Sequence, residues 1–145
     1  MKVRDIMTKP VIHVAPGETV EVAARTLTQY NIGMLPVCGS DGKLCGVVTD
    51  RDLVIRCVAS GRAPGQTGVR EVMTGQVISA QPDMDVSVVA HLMGRQQIRR
   101  LPVVENGRLC GVISLGDLSK SEDSVMDAAD ALTDIVSNVS DRGNW

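Results

Sequence analysis

Aromatic residues are almost missing from this chain of 145 residues, which has no Phe, one Tyr and one Trp. A core without rings must be filled by Val, Ile, Leu, Met and Ala, packed by shape. The stacking platforms on which single-stranded nucleic acids lie are excluded with them. Basic runs are absent as well, and the formal net charge is −2, so nothing supplies a phosphate-backbone footprint. No apolar stretch approaches the roughly 20 residues needed to span a bilayer. The opening MKVRDIMTKP has no apolar signal-peptide core. These absences lead us to expect a cytoplasmic protein with neither nucleic-acid nor membrane partners.

Histidine amounts to His13 and His91, and neither neighbours a cysteine in sequence. Of the four cysteines, Cys38, Cys45, Cys57 and Cys110, none forms a CxxC pair, so the spacing gives no zinc site. Cys45 and Cys110 sit inside apolar runs and suit small, reduced core residues. A redox pairing of Cys38 with Cys45 across a hairpin is the alternative. With isolated histidines, no nucleophile beside a base and no clustered carboxylates, no enzymatic activity is expected.

What the chain does have is an internal repeat. Val3-Arg4 recurs as Val69-Arg70, Met7-Thr8 as Met73-Thr74, Val11-Ile12 as Val77-Ile78, and Leu35-Pro36-Val37 as Leu101-Pro102-Val103. The offset is 66 until the turns Gly39–Lys43 and Glu105–Arg108, and 65 beyond them, where LCGVVTDRDL (Leu44–Leu53) matches LCGVISLGDL (Leu109–Leu118). A single indel confined to a turn is what a structural repeat tolerates. Each copy reads as a short strand (Val11–Val14; Val77–Ala80), then a helix (Val20–Gln29; Val86–Gln96) with Thr19 or Asp85 as N-cap. Two strands follow (Met34–Cys38 and Leu44–Val48; Arg100–Val104 and Leu109–Ile113), joined by turns carrying Asp41-Gly42 and Asn106-Gly107. A second helix starts at hydroxyl–x–x–Asp, giving β-α-β-β-α twice. The expected organisation is repeat 1 over 3–58, a Gly/Pro-rich linker over 59–68, repeat 2 over 69–120 and a tail over 121–145. In the tail, Val125, Ala128, Leu132, Ile135, Val136 and Val139 form an apolar stripe at helical spacing in an acidic segment. The stripe predicts an amphipathic helix that caps the chain's own apolar surface or a partner copy.

The junctions Thr49-Asp50-Arg51-Asp52 and Ser114-Leu115-Gly116-Asp117 admit two readings. A hydroxyl at the N-cap with a carboxylate three residues on resembles a capping box. Alternatively, Gly46 and Gly111 just upstream leave room for a ligand or backbone to approach, N–H groups at the helix start favour phosphate, and the carboxylate suits ribose hydroxyls. Arg99 and Arg100, before Leu101-Pro102, are placed to pair with phosphate oxygens or to stand as solvated strand-edge charges.

The doubled unit, the Leu-Pro-Val of the second strand and the Gly-x-x-[Ser/Thr]-x-x-Asp of the third resemble a pair of CBS domains, the cystathionine-β-synthase type repeats of a Bateman module. The resemblance covers about residues 3–120. It implies an α/β (α+β) fold in which tandem β-α-β-β-α repeats pack two three-stranded sheets with pseudo-twofold symmetry, here followed by a C-terminal amphipathic helix. It also implies two clefts for adenine nucleotides, each mixing the two copies. Cleft 1 would use Thr49, Asp50, Arg51 and Asp52 with Ile78, Arg99 and Arg100. In it Asp52 would hold the ribose hydroxyls, Thr49 and the arginines the phosphates, and Ile78 the adenine face. Cleft 2 would use Ser114 and Asp117 with Lys9, Ile12, Gly33 and Met34, and is the poorer phosphate site because Gly33-Met34 replace the arginine pair.

The expected function is that of a stand-alone, non-catalytic sensor. It would bind AMP, ADP, ATP or S-adenosylmethionine as a regulatory ligand, form a homodimer and pass its signal to a separate regulated protein. The alternative is a structural dimerisation module whose clefts hold no nucleotide. No metal is expected.

Overall fold

In the computed structural model, residues 1–9, 11–122 and 124–142 are described, the side chains of 138–142 excepted. In chain order the elements are α1 (Val3–Ile6), α2 (Val20–Tyr30), β1 (Met34–Cys38), β2 (Leu44–Thr49), α3 (Asp50–Leu53), α4 (Val69–Val72), α5 (Val86–Gln96), β3 (Arg100–Glu105), β4 (Arg108–Ser114), α6 (Leu115–Ser119) and α7 (Val125–Arg142). They form two compact units. Unit 1 comprises Met1–Val11, Ile78–Asn106 and Cys110–Trp145, and unit 2 comprises Ile12–Val77 and Gly107–Leu109.

Unit 2 grows from α2, which starts where the Thr19 hydroxyl accepts the Val22 N–H at 3.2 Å. Val20, Ala23 and Leu27, at helical spacing, turn inward. They meet Leu35, Val37 and Val48 from the antiparallel β1–β2 pair, together with Leu53 and Cys57. The core closes on Val69 and Val72 of α4. Fully burying each such aliphatic side chain contributes about 1.5–3 kcal/mol. Beyond Leu53, α3 continues as one π-helical turn, Val54–Val58. The stretch 59–68 is more ordered than its Gly/Pro content suggests. Pro64–Gln66 make a 3-10 turn, Thr67 is buried, and Thr19 bridges Gly68.

Unit 1 repeats the plan with α5, β3, β4 and α6 around Val86, Val89, Met93, Leu101, Val103, Ile113 and Leu118, and it takes in Val3 of α1. Each unit therefore draws its leading helix from the other repeat. Asp85 occupies the position of Thr19 but makes no side-chain cap bond, because its carboxylate is held 2.9 Å from Lys2 Nζ. The Asn106–Gly107 turn has both residues at positive φ (54° and 79°), and Gly42 stands at 80°, as tight hairpins require.

The first strand of each repeat is reduced to one bridged residue. Val14 pairs in parallel with Val37, and Ala80 with Val103. Ladders cannot extend beyond them, because Pro16 and Pro82 follow within two residues and offer no N–H. The hydrogen-bonded sheets are two-stranded, β1-β2 and β3-β4.

Helix α7 packs on α5 and α6. The stripe expected for it splits: Ala128, Ile135 and the additional Ala131 are buried, whereas Val125, Leu132 and Val136 are exposed. The side chain of Val139 lies outside the described residues. Among the described residues no helix is long and apolar enough to cross a membrane.

Candidate functional site

The two strand-to-helix junctions have the same geometry. Thr49 N–H donates to Asp52 Oδ2 at 3.0 Å, and Asp52 N–H donates back to Thr49 Oγ1 at 3.1 Å. Ser114 N–H reaches Asp117 Oδ2 at 2.8 Å, and Asp117 N–H reaches Ser114 Oγ at 3.0 Å. The capping-box reading is thus satisfied in both copies. Each cap consumes one carboxylate oxygen. The other oxygen of Asp52, Oδ1, lies 4.0 Å from Arg56 Nη2, and this carboxylate is 14% exposed. A carboxylate that accepts one backbone N–H, on a residue whose own N–H is tied to the facing hydroxyl, is a rigidly aimed acceptor with one oxygen left over, so the cap and a ligand role are compatible.

Unit 2 gathers Gly33, Met34 and Thr49–Asp52. Met34 stands opposite Thr49 in the sheet, and the Gly33 carbonyl accepts the Asp50 N–H at 3.1 Å. Asp50 Oδ1 accepts the Arg51 N–H at 2.8 Å and Arg51 is exposed, while Ile12 packs against the unit's core. Unit 1 gathers Arg99, Arg100, Ser114 and Asp117, the Arg99 carbonyl accepting the Leu115 N–H at 2.8 Å. Ile78 (37% exposed) and Lys9 also belong to unit 1 and are open to solvent. So the residues before each Leu-Pro are built onto the hydroxyl–x–x–Asp junction of their own repeat, a neighbourhood that the copy-mixing scheme leaves out.

Within unit 1 a cavity of about 500 Å³ is lined by Arg99, Arg100, Ser114, Leu115, Gly116 and Ser119, with Val125, Ala128, Ala129 and Leu132 of α7 as its apolar wall. Its volume lies within the roughly 300–1,000 Å³ of small-ligand sites. A smaller space of about 360 Å³ is lined by Ile6, Thr8, Asp117, Lys120 and Ser121. The contribution of α7 was not apparent from sequence. The one available signal was that its apolar residues outnumber those a single packing face needs.

Gly46 and Gly111 have a structural cause other than ligand approach. A Cβ at Gly46 would lie 2.8 Å from both Met73 Sδ and the Thr74 carbonyl oxygen, and one at Gly111 would lie 2.6 Å from Met7 Sδ. Thr74 and Val47 exchange backbone bonds at 2.8 and 3.0 Å, and Thr8 and Val112 do so at 2.8 and 3.2 Å. The repeated Met-Thr and the repeated Gly are thus two sides of one contact.

All four cysteines are free, Cys38 and Cys57 buried, Cys45 and Cys110 half-buried. The latter two donate S–H bonds to the Val37 and Val103 carbonyls at 3.2 and 3.3 Å. Burial, with Cys45 and Asp41 nearby, pushes the Cys38 thiol up to about 11. A protonated thiol is a poor nucleophile, which weighs against a redox pair with Cys45. Burial, followed by Glu105, also raises Cys110. Among the described residues no three His, Cys, Asp or Glu side chains group as metal ligands.

Known proteins supply the remaining evidence. The CBS domain family matches residues 3–58 and 69–124. The CBS domain-containing protein YhcV of Bacillus subtilis is 43% identical over 133 residues, covering 92% of this chain and 94% of that protein. The crystal structure of Hypoxic Response Protein I with two coordinated zinc ions aligns with a TM-score of 0.76 at 32% identity, covering 83% of this chain and 98% of that one. The CBS domain pair of protein MJ0100, solved with methylthioadenosine and S-adenosylmethionine, aligns with a TM-score of 0.72 at 32% identity, covering 83% and 94%. With two matched domains, a shared fold and the doubled junctions, this chain belongs to the CBS domain family.

Proposed function

We propose that the chain is a regulatory CBS pair, a homodimer in the cytoplasm, that binds an adenosine-containing ligand of the AMP, ADP, ATP or S-adenosylmethionine type without transforming it. The observation that carries this reading is the arginine pair on a cavity of about 500 Å³ beside a capped strand-to-helix junction. Guanidinium groups bind phosphate oxygens bidentately, and the apolar wall suits a purine. The family likeness to a pair solved with two adenosine compounds agrees with that chemistry. Four free thiols suit a reducing compartment.

In unit 1 we assign Arg99 and Arg100 to phosphate, with Ile78, Ser114, Asp117 and Lys9 as further ligand-facing residues. In unit 2 we assign Asp52 to ribose hydroxyls and Thr49 to phosphate, with Asp50, Arg51, Ile12, Gly33 and Met34 around them. The reciprocal caps favour one competing reading, an interaction module whose junctions serve helix capping alone. Calorimetric titration with AMP, ADP, ATP, S-adenosylmethionine and adenosine separates the two. Saturable binding of at least one supports the sensor, and heat of dilution throughout leaves only the interaction module.

A further inference from the structure

The two strand-to-helix junctions diverge four residues past the aspartate. Asp52 aligns with Asp117, but Arg56 aligns with Ser121. Arg56 lies on the π-helical turn Val54–Val58, a kind of turn that is rare and concentrates at functional sites. Its guanidinium faces two ways. Nη1 donates to the Val72 carbonyl at 2.9 Å and to the Met73 carbonyl at 3.1 Å, at the C-terminal end of α4. Nη2 stands 4.0 Å from Asp52 Oδ1.

A charge-assisted N–H···O bond closes to about 2.7–2.9 Å, and two side chains four residues apart on a helix can ordinarily reach that contact. Here both partners are held from elsewhere. The two carbonyls fix Nη1, and the Thr49 N–H fixes the Asp52 carboxylate through Oδ2. A donor and an acceptor therefore confront each other across a gap too wide for a hydrogen bond. A guanidinium donates without accepting, and a carboxylate accepts without donating. A neutral group seated between them must accept from one and donate to the other, which a hydroxyl does. Bonds of about 2.8 Å on each side bridge such a gap. The side chain of Arg56 is 47% exposed and that of Asp52 14%, so the pair is reached from the arginine side. Tethering to α4 removes rotamer freedom that a half-exposed arginine would otherwise lose on binding.

We propose that Arg56 and Asp52 together clamp one ribose hydroxyl of the ligand, Arg56 Nη2 donating to its oxygen and Asp52 Oδ1 accepting its proton. The proposal rests on the assignment of Asp52 to ribose hydroxyls, to which it adds the opposing donor and a selectivity for ribose over deoxyribose. That selectivity belongs to unit 2. In unit 1 the same place is taken by Ser121, which lines the smaller space with Asp117 and brings no guanidinium.

The test is titration of the wild type and Arg56→Met with AMP, 2′-deoxy-AMP and 3′-deoxy-AMP. Binding is followed by the amide NMR signals of Thr49 and Asp52, which report unit 2 alone. The wild type should bind AMP at least about tenfold more tightly than one of the deoxy nucleotides. In Arg56→Met the affinity for AMP should fall to that of this analogue, whose own affinity stays unchanged. Arg56→Met also removes the bonds to α4, but lost folding support would weaken all three ligands alike, and that outcome overturns the proposal. Equal affinity of the wild type for all three overturns it as well and leaves nucleotide binding intact. If the variant does not fold, the guanidinium signals of Arg56 in the wild type decide. They should shift with AMP and not with the disfavoured analogue, and equal shifts with both overturn the clamp. If no nucleotide moves the Thr49 and Asp52 signals, the ribose assignment of Asp52 fails and the clamp fails with it.

Discussion

Cys38 shows how a buried residue couples local chemistry to the stability of the protein. Its thiol is held at about 11 by burial first, then by Cys45 and Asp41, whereas in the unfolded chain it ionises near pH 9. Between those values the folded state keeps a proton that the unfolded state has released, so stability falls as pH rises through that window. Below it the contribution is complete. Urea melts from pH 8 to 11 should show this loss, and Cys38→Ala should flatten it. An unchanged slope in that variant would move the effect to other groups. At Asp52 the structure makes the cap certain and leaves the ligand role to be tested. Asp52 is the third-residue partner of the box, and an Asn oxygen there can still accept the Thr49 N–H, so Asp52→Asn should cost at most about 1 kcal/mol of stability, chiefly for the charge lost at the helix start. If the carboxylate also accepts ribose hydroxyls, each charge-assisted bond of roughly 1.5–3 kcal/mol makes the nucleotide loss at least tenfold. Arg100→Ala should weaken AMP more than adenosine, because it acts on phosphate. Equal losses for both ligands would remove that assignment.

At the scale of elements, the glycines in β2 and β4 separate two causes that look identical in sequence. Adding a methyl at Gly46 meets the Thr74 carbonyl oxygen at 2.8 Å as well as Met73 Sδ, whereas at Gly111 it meets chiefly the flexible Met7 side chain, with the Thr8 carbonyl oxygen at 3.3 Å. A side-chain end can rotate away, but a paired backbone cannot without breaking its bridge. Gly46→Ala should therefore destabilise by about 1–3 kcal/mol, and Gly111→Ala by less, measured by urea denaturation. Equal costs would mean that the Thr74 backbone yields as easily as a side chain. Helices α2 and α5 and the hairpins were legible from the sequence because apolar period and turn chemistry are local properties. The first strands were not, because a ladder needs donors on both sides and the prolines after Val14 and Ala80 leave a single bridge. Nor was the cap at Asp85, since its carboxylate is taken by Lys2 from far along the chain. For α7 the sequence indicated a helix but merged its inward and outward stripes, which only the packing of Ala131 against Gly94 separates.

For the whole molecule, the repeat boundaries and the physical units differ. Periodicity assigns Val3–Ile6 to repeat 1, yet Val3 is fully buried among side chains of repeat 2. Its N–H donates to Met84 O at 2.9 Å, that of Arg4 donates to Pro82 O at 3.1 Å, and Thr8 bridges Val112. A repeat offset cannot reveal such an exchange, because both copies carry equivalent leaders and either would fit the pattern. The exchange makes a sharp prediction for the fragment 69–145, which contains all of repeat 2 as the sequence draws it but lacks Met1–Val11. Losing Val3 alone removes about 1.5–3 kcal/mol of burial. Exposing the cover of Gly111 and the Thr8 bridge adds to that, against a total of roughly 5–15 kcal/mol for a domain. The fragment should show no cooperative melt or one far below that of the intact protein, while a synthetic peptide of residues 1–11 added in excess should restore it by mass action. A fragment that melts alone as cooperatively and as high as the full chain would show that residues 1–11 are not required, either outright or because the fragment's own leader, Val69–Val72, takes their place. A fragment rescued equally well by a peptide of residues 67–77 would show that the two leaders are interchangeable, and that chain connectivity rather than side-chain fit decides which unit each one completes.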